Sequence, residues 1–419
     1  FRSPMVASKA ACRTFNKDMG SLMVRIDDSV ITAQTLESRL AGERQVEICP
    51  RAKLTPSAHD FLRDQSIEVI RRATDGQPPV AAPQRSAANI PAPAARRDSS
   101  RRDFTGIFCP NVVIFDDKNK INYSEMERYI NWLIDAGIHG LYPNGSTGEF
   151  TRLSWEERQD VVRLICDINQ GRVPVLAGAS EANVRDVLKM ADYYTGLGGV
   201  DAISLIPPYY YPLSEESLYE FYAEIARESP LDILLYNIPQ FTQELTLDLM
   251  ERLLPFERIF GTKDSSRDQP RLLNTIHRMR QQRPDYVVLV GCEEILFPSI
   301  LMGASGGTIA TSGIVPEVIV DIYDQAIAGN IERGRELQYR ILDLINLMLL
   351  GVNFPEGFKT GIAARGFDVG PARASTNPGE QEYLIQLESQ INCVLADMGY
   401  DVRGPRACPV TNLPPIVGR

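Results

Sequence analysis

Residues 232–263 read DILLYNIPQFTQELTLDLMERLLPFERIFGTK. A β-rich run (DILLYNIP, 232–239) gives way to an amphipathic stretch and then to a second β-rich run (IFGTK, 259–263). That order is a strand–helix–strand unit. The same rhythm extends in both directions. β-rich runs fall at 106–115, 138–144, 173–179, 201–207, 232–239, 259–263, 286–291 and 306–311. Helical patterns such as NYSEMERYINWLIDAG and SWEERQDVVRLICDIN follow them. Run starts recur roughly every 30 residues, the length of one βα unit. Eight such units close into a (β/α)8 barrel. The competitor is a doubly wound open sheet, which calls for a Gly-rich fingerprint after its first strand. Here that position reads FCPNVVIFDD. The predicted fold class is α/β, a (β/α)8 TIM barrel over 104–330.

Working outward, helical patterns at 331–350 and about 380–398 predict a C-terminal helical extension over 331–400, and a Pro-rich tail over 401–419 reads as loose. On the other side, 76–103 is rich in Pro, Ala and Arg without apolar periodicity, which is the composition of a linker. Residues 1–75 form a small α+β module. Its strand-like pieces are SLMVRI and QVEI, and one helix is predicted over LTPSAHDFLRDQSIEVIRRA, with Thr55 as cap, Pro56 at the first helical position and Asp60 in the first turn.

Composition narrows the function. The chain has a formal net charge of −10. Residues 1–104 carry 17 Lys+Arg against 12 Asp+Glu, while the remainder carries 27 against 42. The large part is therefore a poor nucleic-acid binder. No apolar run is long enough to span a bilayer, and no secretory signal pattern is visible at the N-terminus. The seven cysteines, at 12, 49, 109, 166, 292, 393 and 408, have no CxxC spacing, and the three histidines lie far apart. That pattern argues against a disulfide framework and against a metal site, and it fits a reducing cytoplasm.

In a barrel of this kind the active site lies at the C-terminal ends of the strands. Those ends read NGSTGEF (144–150), PPYYYP (207–212), YNIP (236–239), TKDSS (262–266), GCEE (291–294) and GGTIATSG (306–313). Lys263 ends an apolar run, where an ammonium is costly to bury. A solvated lysine at a strand end is the plain alternative. The preceding IFG carries Lys263 toward the inner rim, where burial would favour the neutral amine that attacks carbonyls. Tyr236 ends the neighbouring strand and is a candidate proton carrier. Gly145, Ser146, Thr147 and Gly148 either form an ordinary turn or an anion nest suited to a carboxylate. Tyr209, Tyr210 and Tyr211 read equally well as an interface cluster, and Glu293 and Glu294 as the acidic first turn of a helix.

Taken together, GSTGE, PYYYP, YNIP and GTKDSS, in this order and spacing, resemble the dihydrodipicolinate synthase / N-acetylneuraminate lyase family. The likeness covers about residues 104–400. It implies a class I, Schiff-base aldolase or lyase acting on pyruvate or another 2-oxo acid and an aldehyde or sugar-acid partner. It implies a homotetramer built as a dimer of dimers, and no cofactor beyond the covalent adduct on Lys263. Position by position, it makes Tyr236 the proton donor and acceptor, and Ser146 and Thr147 the carboxylate holders and relay. Tyr210 becomes the relay tyrosine that often reaches across a subunit interface. The synthase branch has an arginine where this chain has Phe241. The lyase branch has an acidic pair like Glu293 and Glu294, but a serine where this chain has Ala310. Neither specificity transfers whole. A synthase, a keto-deoxy sugar acid dehydratase using the same lysine, and a barrel that has lost catalysis and serves in assembly stay open. KLTPSAHDFLRDQSIEV (53–69) faintly resembles N-terminal segments of microcompartment-associated enzymes, which implies a docking partner for residues 1–75.

Overall fold

The computed structural model describes residues 13–15, 22–28, 30–40, 42–50, 52–71, 103–402, 404–406 and 408. The predicted linker, apart from its last residue, lies outside them, as does the tail beyond 408. The chain divides into two compact units, Phe1–Ala94 and Ala95–Arg419.

In the first unit, β1 (Arg13–Phe15), β2 (Leu22–Ile26), β4 (Gln45–Ile48) and β6 (Glu68–Arg71) form one sheet in the order β1-β2-β4-β6. The short strands β3 (Val30–Ile31) and β5 (Lys53–Leu54) pair separately. Helices α1 (Ala33–Leu40) and α2 (Pro56–Asp64) complete the module. Strand alternation buries Val46 and Ile48 with Val24, Ile26, Leu36 and Leu62. On the opposite face of the sheet, Arg25 pairs with its register partner Glu47 at 2.6 Å.

The predicted helix is shorter than its sequence pattern. Thr55 does cap it, accepting from Ala58 N–H, and Pro56 opens it. It stops at Asp64, however, and the chain reverses at Ser66 (φ 52°) to run as β6 beside β4. The β-branched pair Val69-Ile70 gains a strand partner there, and that tertiary pairing outweighs helical periodicity. Asp60 lies beyond the first turn, where it pairs with Arg63 at 2.7 Å.

The second unit contains all eight predicted strands: β7 (Gly106–Cys109), β8 (Gly140–Leu141), β9 (Leu176–Gly178), β10 (Ala202–Leu205), β11 (Asp232–Asn237), β12 (Ile259–Asp264), β13 (Val287–Val290) and β14 (Gly306–Thr308). They are parallel, in the order β8-β7-β14-β13-β12-β11-β10-β9, and a Leu141–Val175 bridge joins the two ends of the sheet. The fold is thus the (β/α)8 barrel expected from the spacing. Phe104, Phe108, Tyr142, Leu176, Leu234, Phe260 and Leu289 pack inside it. A second core lies between the strands and the helices α3 (Tyr123–Asp135), α4 (Trp155–Asn169), α5 (Val184–Leu197), α6 (Glu215–Glu228), α7 (Leu247–Leu253), α8 (Gln269–Gln282), α9 (Leu296–Leu301) and α10 (Pro316–Ala328).

A register shift in the pairing of β11 with β12 decides the position of the site. Ile233 pairs with Ile259, but Leu234 pairs with Gly261, so one residue is inserted in β12. Phe260 packs inside the barrel. Simple alternation from it would point Lys263 outward. The inserted residue reverses the phase, and Lys263 faces inward opposite its register partner Tyr236.

The C-terminal extension comprises α11 (Ile331–Arg340), α12 (Leu342–Leu349), α13 (Glu356–Ala364) and α14 (Pro378–Asp397). Helix α13 does not stand out in the sequence pattern. The preceding segment contains a cis Phe354–Pro355 bond and a close passage of Gly351, where a Cβ would meet Gly357 N at 2.3 Å. Two expectations change at the end of the chain. Cys393 and Cys408 form a disulfide, so the cysteines are not all free thiols; Cys49, Cys109, Cys166 and Cys292 are. The described part of the tail is also tied down, because Asn392 Nδ2 donates to Pro405 O at 2.9 Å.

Candidate active site

At the C-terminal end of the barrel lies a cavity of about 390 Å³, lined by residues from six strand ends and from the segment before and within α13. Lys263 lies at its base, only 4% exposed. Its Nζ is 4.0 Å from the centre of the Tyr236 ring and 5.0 Å from that of Tyr142. No carboxylate pairs with Lys263 among the described residues. Room for its side chain comes from Gly291, where a Cβ would sit 2.0 Å from Ser265 Oγ and 2.8 Å from Lys263 Cε. The Tyr142 hydroxyl donates to Ser204 Oγ at 2.9 Å, and burial pushes its phenol well above the ordinary range.

The end of β12 is held by a small polar network. Asp264 Oδ2 accepts from Asn237 Nδ2 at 2.9 Å and from Arg271 Nε at 3.1 Å. Asp264 Oδ1 accepts from Ser266 N–H at 2.9 Å, and Gln240 Nε2 donates to Ser265 O at 2.8 Å. These contacts join the end of β11 to that of β12 and fix the strand carrying Lys263.

Ser146 and Thr147 line the same cavity as Lys263 and Tyr236. Their loop is anchored at both ends by left-handed residues, Asn144 and Glu149, each at φ 55°. Asn144 Nδ2 donates to Arg158 O at 2.8 Å and to Tyr194 Oη at 2.9 Å. Glu149, with a fully buried side chain, accepts from Arg152 at 2.8 Å and pairs with Lys359 of α13. Lys359 is itself 1% exposed and also lies 3.8 Å from Glu356. Burial raises the Glu356 carboxyl above its usual range, against the pull of Lys359.

The other sequence candidates divide. Phe241, Glu293, Glu294 and Ala310 line the cavity. Gly145 and Gly148 do not; they shape the turn behind Ser146 and Thr147. Tyr210 does not either. It is 85% exposed at φ 82°, with its ring against Tyr211. Glu293 turns into the protein, and its Oε1 accepts from Thr311 N–H at 3.0 Å and Thr311 Oγ1 at 2.9 Å. Burial raises its carboxyl above the usual range. Glu294 pairs with Arg267 at 3.4 Å.

Several cavity residues escape sequence reading. Arg267 holds a left-handed backbone (φ 61°), which no local motif signals. Cys292 lines the cavity, but its thiol is pushed up to about 12, chiefly by burial, so it stays protonated. Thr308 Oγ1 is buried without a hydrogen-bond partner among the described residues. Phe354 and Phe358 arrive from the segment beyond the barrel, and only packing brings them to its mouth.

The family model described as the Dihydrodipicolinate synthetase family matches residues 103–393. An uncharacterized DapA-like lyase of Halobacterium salinarum is 30% identical over 295 residues, covering 70% of this chain and 94% of the relative. The 4-hydroxy-tetrahydrodipicolinate synthase of Methanopyrus kandleri is 32% identical over 282 residues, covering 66% and 91%. Among solved structures, YagE, a prophage protein of the dihydrodipicolinic acid synthase family from E. coli K12 in complex with pyruvate, is 29% identical. Its TM-score is 0.65, over 71% of this chain and 99% of that one. CdNal from Clostridium difficile in complex with mannosamine is 26% identical, with a TM-score of 0.63 over 70% and 99%.

Proposed function

The chain belongs to the dihydrodipicolinate synthetase family and is a class I carbon–carbon lyase of it; on that premise we propose that Lys263 is the Schiff-base residue and pyruvate, or a close 2-oxo acid, its partner. The single observation that carries this reading is the burial of Lys263 Nζ beside the Tyr236 ring, in one cavity with Ser146 and Thr147.

The chemistry runs as follows. The Lys263 amine adds to the C2 carbonyl of the 2-oxo acid, and loss of water leaves an iminium. Its positive charge draws electrons from C3, which loses a proton to give an enamine. The enamine carbon attacks an aldehyde carbon, and the new alkoxide takes a proton from the Tyr236 phenol. Water then hydrolyses the iminium, releasing product and free amine. The reverse sequence cleaves the bond. Ser146 and Thr147 hold the carboxylate of the 2-oxo acid and pass protons to Tyr236. No cofactor enters any step.

In this reading the relay is completed by Tyr210 of a second chain, in a dimer of dimers. Its support is the exposure of Tyr210 away from its own cavity. The enzyme works in the cytoplasm, with residues 1–75 as a docking element for a microcompartment partner. The four free cysteines among the described residues support a reducing compartment, and the Cys393–Cys408 bridge argues the other way. Among the described residues no helix is long and apolar enough to cross a membrane.

The test is reductive trapping. Incubation with pyruvate and borohydride should place a pyruvate-derived mass on the peptide containing Lys263. A folded protein that yields no adduct, or an adduct on another lysine, ends the assignment.

A further inference from the structure

Among the residues lining the cavity, the cationic side chains are those of Lys263 and Arg267. In the reading above Lys263 is spent on the covalent bond, and Ser146 and Thr147 on the carboxylate of the 2-oxo acid. Arg267 is then the cation open to a second substrate. Ser265, and Gln240, which donates to Ser265 O at 2.8 Å, line the same cavity as neutral polar neighbours.

The backbone of Arg267 is left-handed, at φ 61°. That conformation is unfavourable for a residue with a Cβ, and glycine adopts it freely. The turn after β12 therefore gains nothing from an arginine except its side chain. Strain of this kind collects where a side chain has to be aimed.

The guanidinium is only partly engaged. Its Nε lies 3.4 Å from Glu294 Oε1, and the side chain is 53% exposed. It donates no hydrogen bond to another described residue. So open an ion pair is weak. Arg271, four residues on, shows what a fully used guanidinium looks like in this chain. Its Nε meets Asp264 Oδ2 at 3.1 Å, and its Nη1 meets a second carboxylate, Glu244 Oε1, at 2.9 Å. Arg267 has the first of these contacts and not the second. Its Nη edge can accept a further carboxylate in the same way, with charge-assisted hydrogen bonds. A phosphate fits less well, because it sets about two negative charges beside Glu294 against one guanidinium. A neutral aldehyde gains nothing from that edge.

We propose that Arg267 is a specificity-determining residue whose Nη edge pairs with a carboxylate on the aldehyde partner, so that carboxylated aldehydes are preferred to neutral and to phosphorylated ones. This inference rests on the Schiff-base reading above.

The experiment uses the full chain and has two parts. Pyruvate trapping on Lys263 reports the Schiff-base reading alone. Pyruvate consumption with succinic semialdehyde, with its methyl ester and with glyceraldehyde 3-phosphate then gives ratios of kcat/KM. The acid should exceed its ester more than tenfold in the wild type, and should exceed the phosphate. In Arg267→Gly the acid-over-ester ratio should fall about tenfold, and in Arg267→Lys, which keeps the charge without the fork, it should fall less. Glycine accepts the left-handed backbone, so Arg267→Gly is expected to fold and to trap pyruvate. A merely structural arginine would lower both rates together and leave the ratio unchanged. A wild-type ratio at or below one, or consumption with neither probe, with the adduct formed, overturns the inference and leaves the Schiff-base reading standing. A high ratio unchanged in Arg267→Gly overturns the assignment to Arg267. Preference for the phosphate overturns the choice of carboxylate. Failure to form the adduct overturns both readings.

Discussion

Lys263 and Tyr236 are register partners on adjacent parallel strands, and Lys263 Nζ lies 4.0 Å from the centre of the Tyr236 ring. In the proposed reaction this pairing separates two chemical duties that variants can resolve. Lys263→Ala should abolish borohydride trapping and lower kcat at least about a thousandfold. Tyr236→Phe should still trap pyruvate while kcat falls about 10²- to 10⁴-fold, the usual range for a lost acid–base group. Equal loss of trapping in both variants would leave no separate role for the phenol.

Gly291 is the space into which the lysine side chain fits. A Cβ there would meet Ser265 Oγ at 2.0 Å and Lys263 Cε at 2.8 Å. Gly291→Ala is expected to slow adduct formation at least tenfold and to lower stability by about 1–3 kcal/mol, as overpacking does. Unchanged trapping rates would show that the lysine can approach substrate by another path.

Glu149 and Lys359 join the Ser146–Thr147 loop to α13 through a buried ion pair. Removing one partner leaves a charge stranded in the interior. Lys359→Met should cost about 3–5 kcal/mol, and adding Glu149→Gln should recover part of it. A single variant as stable as the wild type would mean that the pair contributes nothing to the fold.

Burial raises the Glu293 carboxyl above its ordinary value of 4.5. The folded chain therefore holds that proton more tightly than the unfolded chain. The stabilising contribution is present below pH 4.5 and is lost as pH rises through the raised value. Glu293→Gln keeps an oxygen to accept from Thr311 and removes the titration. Its Tm relative to wild type should be more favourable at pH 8 than at pH 4. The opposite trend in thermal melts would show that the carboxylate, not the acid, is the form the fold prefers.

Phe241→Arg should shift relative kcat/KM toward carboxylated aldehydes about tenfold, since it places a bidentate donor in the cavity lining beside Phe354. If the relative values do not move, residue 241 does not touch the second substrate.

Tyr210 gives a test of assembly. If it serves a neighbouring chain's cavity, inactive Lys263→Ala and weakened Tyr210→Phe proteins should regain activity when unfolded and refolded together. Mixtures no more active than their sum would confine each site to one chain.

The barrel was legible because its cause is repetitive. Eight β-rich runs separated by amphipathic stretches leave few ways to bury both faces of a parallel sheet. The strand ends followed, and with them Lys263, Tyr236, Ser146 and Thr147 as one cluster. Helix α2 was read too long because local pattern does not report that Val69 and Ile70 find a strand partner.

Sequence alone determined which chemical groups are available at the mouth and in what order around the barrel, since strand spacing is local information. Only the tertiary structure decided which of them face one another. The residue inserted in β12 turns Lys263 inward, and it arises from pairing with β11 and not from any local motif. Phe354 and Phe358 line the cavity because the segment leading into α13 packs there, about a hundred residues beyond Lys263. Arg267 captures Glu294 only once both strand ends are in place. Each is a contact between segments far apart in the chain, set by packing and long-range pairing, where periodicity carries no signal.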